Sequence, residues 1–208
     1  MLDWRCERIS ALLPDDAAFT AAYESLPGWR RRKAAALRFD ADRRRSVAAW
    51  MLLRRLLAER GVDATSLPVT ENACGKPAFA PHVGLRFNLS HAVGRVMAVV
   101  SEGEVGCDVE QITAVGDGMV RAALTAAERE RVEALSGAER DSAFFRLWVR
   151  KESYVKAVGC GMSVEPSAFS ALSSPPSPGW CWRDLDFGDG YLGCVCYGPG
   201  SVGMQMTF

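Results

Sequence analysis

The chain has 208 residues, of which 49% are hydrophobic, and its 25 basic side chains balance 25 acidic ones. That much apolar mass fills the core of one large domain or of two small ones sharing an interface, which excludes a disordered chain. Its opening residues, "MLDWRCERISALLPDD", carry charge throughout, and its longest apolar run, Val47 to Leu53, is far too short to cross a bilayer. The chain therefore reads as a soluble cytoplasmic protein without membrane contact. Seven cysteines (Cys6, Cys74, Cys107, Cys160, Cys181, Cys194 and Cys196) form no CxxC pair, and only two histidines are present to help bind zinc. They read as reduced, mostly buried thiols. The zero net charge hides a segregation: from Trp29 to Arg60, eleven Arg or Lys face three acids, a local +8, whereas from Ser101 to Glu133 eight acids face three arginines, a local −5. The first region suits a polyanion and the second a cation.

In chain order, "RFDADRRRSVAAWMLLRRLLAERG" predicts a helix capped by Asp40 or Asp42, with an apolar stripe through Val47, Trp50, Leu53, Leu56 and Leu57 and Gly61 as its stop. In "NACGKPAF", Gly75 and Pro77 mark a tight loop, where Lys76 either decorates the surface or offers its ammonium to an anion. "LRFNLS" and "RVMAVVSE" predict two short strands, and "EVGCDVEQI" a third, completing a small sheet after the helix. Ser90 and His91 close the first of these strands, where a hydroxyl and an imidazole either reach phosphate oxygens or serve as a turn serine and a surface histidine. On the third strand the pleat turns Asp108 and Glu110 to one face while Val105, Cys107 and Val109 point into the core. Adjacent acids repel unless a positive charge lies between them. Mg2+ with one further carboxylate would supply it; two ordinary solvent-facing acids are the alternative.

"TAAERERVEALSG" has Thr125 and Glu128 at capping-box spacing, which leaves Glu128 open between a cap and a neighbour of the metal. A long helix is predicted from about Ala138 to Val158, ending at Gly159 and Gly161. Along it, "LWVRKESYVKA" stacks Trp148, Glu152 and Lys156 on one side with Phe144 and Val155. A solvated Glu–Lys pair at i, i+4 is the ordinary reading, worth about 0.3–0.5 kcal/mol. "LSSPPSPG" is a loop, and "WCWRDLDF" and "YLGCVCYG" flank "GDG" as an antiparallel hairpin. The pattern is twice helices plus a small antiparallel sheet, an α+β chain with a boundary near Ser101 to Val105 and no direct sequence repeat.

Taken in order, the basic helix, G-K-P, N-L-S-H, G-x-D-x-E and W-x-x-K-E-S-x-x-K-A resemble the 4′-phosphopantetheinyl transferases, specifically the longer single-chain type similar to the surfactin-synthetase activator. The resemblance covers about Arg30 to Gly161, and its strongest elements are "VGCDVE" and "WVRKESYVKA". It implies a monomeric pseudo-dimer of two similar halves, 1–103 holding nucleotide phosphates and 104–208 holding the metal and the catalytic helix, with the active site at their interface. The implied reaction moves 4′-phosphopantetheine from coenzyme A to a serine of an acyl or peptidyl carrier protein, in polyketide, nonribosomal-peptide or fatty-acid assembly. The family pattern makes Asp108, Glu110 and Glu152 the Mg2+ ligands, Glu152 also the base for the carrier serine, and Lys156 the group that stabilises the departing phosphate. His91 would contact the pyrophosphate, and Ser90, Lys76 beside Pro77, and Arg45 of the Arg43–Arg44–Arg45 run would hold the 3′-phosphate.

"WRRRK" resembles the family's upstream basic contacts without separating Arg30, Arg31, Arg32 and Lys33, and Ala92 stands where many members have a small polar residue. Carrier recognition is expected between Gln111 and Leu124, where Ile112, Val115, Met119 and Val120 are alternatively core. Two other classes compete: a Mg2+-dependent phosphohydrolase acting on a nucleotide pyrophosphate, and a nucleic-acid-binding module on the arginine-rich helix. The neutral chain argues against the second.

Overall fold

The computed structural model describes residues 2–159, 161 and 164–199, and its long strands form two three-stranded antiparallel sheets. The first sheet joins β1 (Leu2–Arg8), β4 (Arg86–His91) and β5 (Arg95–Ser101) in the order β1-β5-β4. Between β1 and β4 the chain builds α1 (Ile9–Leu12), α2 (Asp16–Glu24), α3 (Gly28–Ala35), α4 (Asp40–Ala58) and a small hairpin of β2 (Val69–Glu71) and β3 (Pro77–Phe79). The second sheet joins β6 (Val105–Gln111), β7 (Cys181–Asp186) and β8 (Tyr191–Tyr197) in the order β6-β8-β7. Between β6 and β7 lie α5 (Asp117–Ala123), α6 (Ala126–Glu133) and α7 (Gly137–Val158). The α+β architecture expected from the sequence is thus observed. Among the described residues, no helix is long and apolar enough to cross a membrane.

Alternation along β5 explains how the layers stack. Val96, Ala98 and Val100 join the core under α4 with Val47, Trp50, Leu53 and Leu57, while Met97 and Val99 join Val105, Cys107, Val109, Leu185 and Val195 of the second sheet. Burying each such side chain is worth about 1.5–3 kcal/mol, so a one-residue slip of β5 would exchange two cores at once. On the other side of β6, Gly106 lets the backbone of α7 approach. A Cβ there would lie 2.2 Å from the Ser153 carbonyl and 2.3 Å from the Ala157 amide. The spacing G-x-D-x-E therefore places Gly106, Asp108 and Glu110 on the strand face covered by α7.

Several sequence expectations change here. "EVGCDVEQI" is a strand, but it pairs with β8 rather than extending the sheet of β4 and β5. Its free edge runs beside β4, where side chains replace a backbone ladder: Asn88 Oδ1 accepts from the Cys107 amide at 3.0 Å and Ser90 Oγ from the Val109 amide at 3.3 Å. The third strand of the first sheet is instead β1, whose Leu2, Trp4 and Cys6 pack into the core between the sheets. Phe39, not Asp40 or Asp42, is the N-cap of α4, and it makes no side-chain cap bond. Both aspartates lie in the first turn, where Asp40 pairs with Arg43 and Arg44, and Asp42 with Arg45. Among the described cysteines Cys107, Cys194 and Cys196 are buried but Cys74 and Cys181 are exposed, and all are free; Cys160 lies outside the described residues.

Candidate active site

Helix α7 carries two of the expected site residues, Glu152 and Lys156, and its C-terminus is clamped from the β2–β3 loop. Gly159 caps it with φ +74°, a conformation glycine adopts without strain. The Asn72 amide donates to the Gly159 carbonyl at 2.8 Å, and Lys76 Nζ donates to the carbonyls of Ala157 at 2.8 Å and Val105 at 3.2 Å. A cation at a helix C-terminus completes its dipole. Burial first lowers the Lys76 pKa, with Glu104 opposing.

Packing of α7 on β6, and of β6 beside β4, brings Asp108, Ser90 and Lys156 together. Lys156 Nζ lies 2.5 Å from Asp108 Oδ1 and 3.1 Å from Ser90 Oγ, and Ser90 donates to the same Asp108 oxygen at 2.7 Å. Asp108 is 2% exposed, and its second oxygen, Oδ2, is buried without a hydrogen-bond partner. Burial works to lower the Lys156 pKa, but Asp108 outweighs it and holds the ammonium above its ordinary value. The expected Glu152–Lys156 pair is thereby resolved differently: the close partner of Lys156 is Asp108.

Glu110 and Glu152 complete an acid-rich wall. Trp148 Nε1 lies over Glu110 Oε1 at 3.4 Å. Burial, reinforced by Asp108 and Glu152 and opposed by Trp148 and Lys156, pushes the Glu110 carboxyl up to about 7. Burial and Asp108 likewise raise Glu152, against the pull of Lys156. These acids, together with the orphaned Asp108 oxygen, are short of positive charge, which is the chemistry a hard divalent cation satisfies. Among the described residues, no three His, Cys, Asp or Glu side chains are gathered into a ready cation cage.

A cavity of about 590 Å3 opens beside Glu152, lined by Lys76, Pro77, Trp148, Glu152, Val155 and Lys156 together with Val164, Glu165 and Pro166; Asp108 and Glu110 are not among its lining residues. A separate cavity of about 530 Å3, lined by Leu12, Met51, Arg54 and Val62 among others, contains none of the residues expected in the site. His91 is exposed, yet desolvation by the protein around it and the charges of Lys156, Arg45 and Arg30 hold its imidazole below 6.5. Arg30 is thus singled out from its neighbours. It lies against the rings of Trp29 and Trp50, bonds the Ser46 carbonyl at 3.0 Å, leaves Nε buried and unpartnered, and has its pKa lowered to about 10 by burial. Arg31 instead bonds carbonyls of Glu24 and Leu26, and Lys33 pairs with Glu71.

Glu128 is a cap. Thr125 and Glu128 form both bonds of the capping box, and Glu128 also accepts from the Ala171 amide and from Lys151, with neither Asp108 nor Glu152 among its partners. Lys151 is not singled out by the sequence because its acid lies on another helix; its only signal is a lysine on the face of α7 that carries Phe144, Leu147 and Tyr154. In the segment expected to meet a carrier, Val120, Ala123 and Leu124 are core and Ile112 and Val115 pack against them, leaving Met119 exposed.

The family model of the 4′-phosphopantetheinyl transferase superfamily matches residues 104–188. The chain is 38% identical over 132 residues to the 4′-phosphopantetheinyl transferase AcpT of Escherichia coli, covering 60% of this chain and 66% of that protein. Against AcpT of Salmonella typhimurium it is 34% identical over 140 residues, covering 66% and 72%. Against the 4′-phosphopantetheinyl transferase psf-1 of Bacillus pumilus it is 28% identical over 146 residues, covering 70% and 63%. The chain spans about two thirds of the length of these relatives.

Proposed function

The chain belongs to the 4′-phosphopantetheinyl transferase superfamily, and from that premise we propose that it transfers the 4′-phosphopantetheine arm of coenzyme A to a serine of an acyl or peptidyl carrier protein. Adenosine 3′,5′-bisphosphate is the leaving product. The observation that carries this reading is the buried Asp108–Ser90–Lys156 cluster with one unpartnered carboxylate oxygen, set between two carboxyls of raised proton affinity and the cations around His91.

In this reading the serine hydroxyl attacks the phosphorus that carries the pantetheine arm. A serine oxygen–phosphorus bond forms, and the bridging oxygen leaves with the bisphosphate. Glu152, which lines the cavity beside Lys156, takes the hydroxyl proton. Lys156, held in its charged form by Asp108, neutralises the departing phosphate. Asp108, Glu110 and Glu152 would hold Mg2+, which when bound supplies Lewis-acid charge neutralisation and a template for the pyrophosphate.

His91, Arg45 and Arg30 form the phosphate-binding side. Lys76, Ser90, Arg45 and Arg30 all have protein partners here, so giving them the nucleotide phosphates requires an exchange of those partners on binding. The two sheets, each built from a strand, a long helix and a closing hairpin in equivalent order, support reading 1–103 and 104–208 as halves of a pseudo-dimer. The β4–β6 seam is then its active-site interface, in a monomeric cytoplasmic enzyme. The test is the intact mass of an apo carrier incubated with coenzyme A and Mg2+: one phosphopantetheine is expected to be added. Breakdown of coenzyme A with every carrier left unmodified would contradict the reading.

A further inference from the structure

Lys151 precedes Glu152 on α7 but is absent from the cavity lining and has 0% exposure, as does its partner Glu128. Its ammonium donates to Glu128 Oε2 at 2.8 Å, to the Pro166 carbonyl at 2.8 Å and to the Phe169 carbonyl, and sits 4.8 Å from the centre of the Phe169 ring. Glu128 in turn accepts from the Thr125 amide at 2.7 Å and the Ala171 amide at 2.5 Å. The segment held this way contains the 3-10 turn Pro166–Ala168 and begins at Pro166, which lines the cavity with Val164 and Glu165. Buried ion pairs are often replaceable by apolar residues without loss of stability, so their geometry is what distinguishes them. Here that geometry joins three segments distant in sequence to one side of the cavity.

We infer that Lys151 and Glu128 are positioning residues that fix the 164–166 side of the cavity against α7 and so set affinity for the pantetheine arm of the donor. This rests on the transferase reading. The 164–166 side offers Val164 and Pro166 beside Glu165, and with Pro77, Trp148 and Val155 it gives the cavity apolar surface that suits the uncharged arm, apart from the charges of Lys76, Glu152 and Lys156.

The test compares wild type with the uncharged, near-isosteric double variant Lys151→Met/Glu128→Gln and with Glu128→Gln alone. Each is assayed for transfer to one carrier and for inhibition by adenosine 3′,5′-bisphosphate, which lacks the arm. The double variant is expected to raise KM for coenzyme A about ten-fold, with kcat within about three-fold and bisphosphate inhibition unchanged; Glu128→Gln alone should raise it about three-fold. An active wild type whose variants keep its KM overturns the inference alone, as does an equal loss of affinity for coenzyme A and the bisphosphate. A wild type that modifies no carrier overturns the transferase reading, and the inference falls with it.

Discussion

Two lysines of α7 meet acids from other elements, and the two encounters differ in what is left over. Between Lys151 and Glu128 both side chains are sealed from solvent, and backbone groups of Thr125, Pro166, Phe169 and Ala171 take up their remaining donors and acceptors. Between Lys156 and Asp108 the lysine side chain is still 30% exposed, and one carboxylate oxygen is buried without a partner. A fully satisfied charge network rigidifies a fold, whereas charge left short of partners beside a cavity is available to substrate. A lysine of one helix paired with an acid of another element thus serves structure in one place and chemistry in the other.

Substitutions should separate the two pairs, the largest effect falling on the unsatisfied one. Asp108→Asn removes a carboxylate from the acid wall and the anion that keeps Lys156 charged, so transfer is expected to fall about a thousand-fold. The Mg2+ concentration for half-maximal rate should rise with it. An unchanged Mg2+ titration would remove Asp108 from the metal. At the satisfied pair the expected loss is in stability beside any change in KM: Lys151→Met leaves Glu128 buried without its cation and should cost about 3 kcal/mol in urea unfolding. A loss below about 1 kcal/mol would place that pair with ordinary surface ion pairs.

Lys156→Ala should reduce transfer about a hundred-fold, the effect of removing one charge stabiliser from a phosphoryl-transfer site. The folded chain should remain intact by circular dichroism, and rapid transfer in this variant would contradict its role. The smallest effect concerns pH. His91 is held below 6.5 in the folded chain, so its contribution to stability is present above 6.5 and is lost as pH falls through the lowered value, because the folded state must then accept a proton near Lys156, Arg45 and Arg30. His91→Gln should flatten the fall in stability below pH 6.5, and in wild type added salt should weaken only the part of the effect that comes from Lys156, Arg45 and Arg30, leaving the part due to desolvation. Parallel curves for the two proteins would show that His91 is not the titrating group.

What could be read from the sequence was whatever its own neighbours determine. The stripe of α4, the Thr125–Glu128 capping box, the Gly159 stop and the hairpin around Gly188, Asp189 and Gly190 all depend on residues a few positions apart, and all are observed. The D-x-E alternation on β6 was likewise legible, including the core side of Val105, Cys107 and Val109. Long-range pairing was not. Nothing local to "LDWRCER" says that it pairs with β5, and nothing local to β6 says that β8 rather than β5 is its partner. The i, i+4 spacing drew Glu152 and Lys156 together in the reading of the helix, while the tertiary fold gave Lys156 to Asp108. Lys151 was overlooked for the same reason, since its acid sits on α6 and its carbonyl partners lie in a loop.

The central claim is that the carboxylates beside Lys156 carry out the transfer, and a single-turnover measurement tests it most directly. Wild type and Glu152→Gln, each saturated with coenzyme A and Mg2+, are mixed with one apo carrier, and the added phosphopantetheine mass is followed in time. Wild type is expected to convert the carrier fully, and Glu152→Gln to be slower by about a thousand-fold with the same melting temperature. Equal rates in the two proteins would contradict the account.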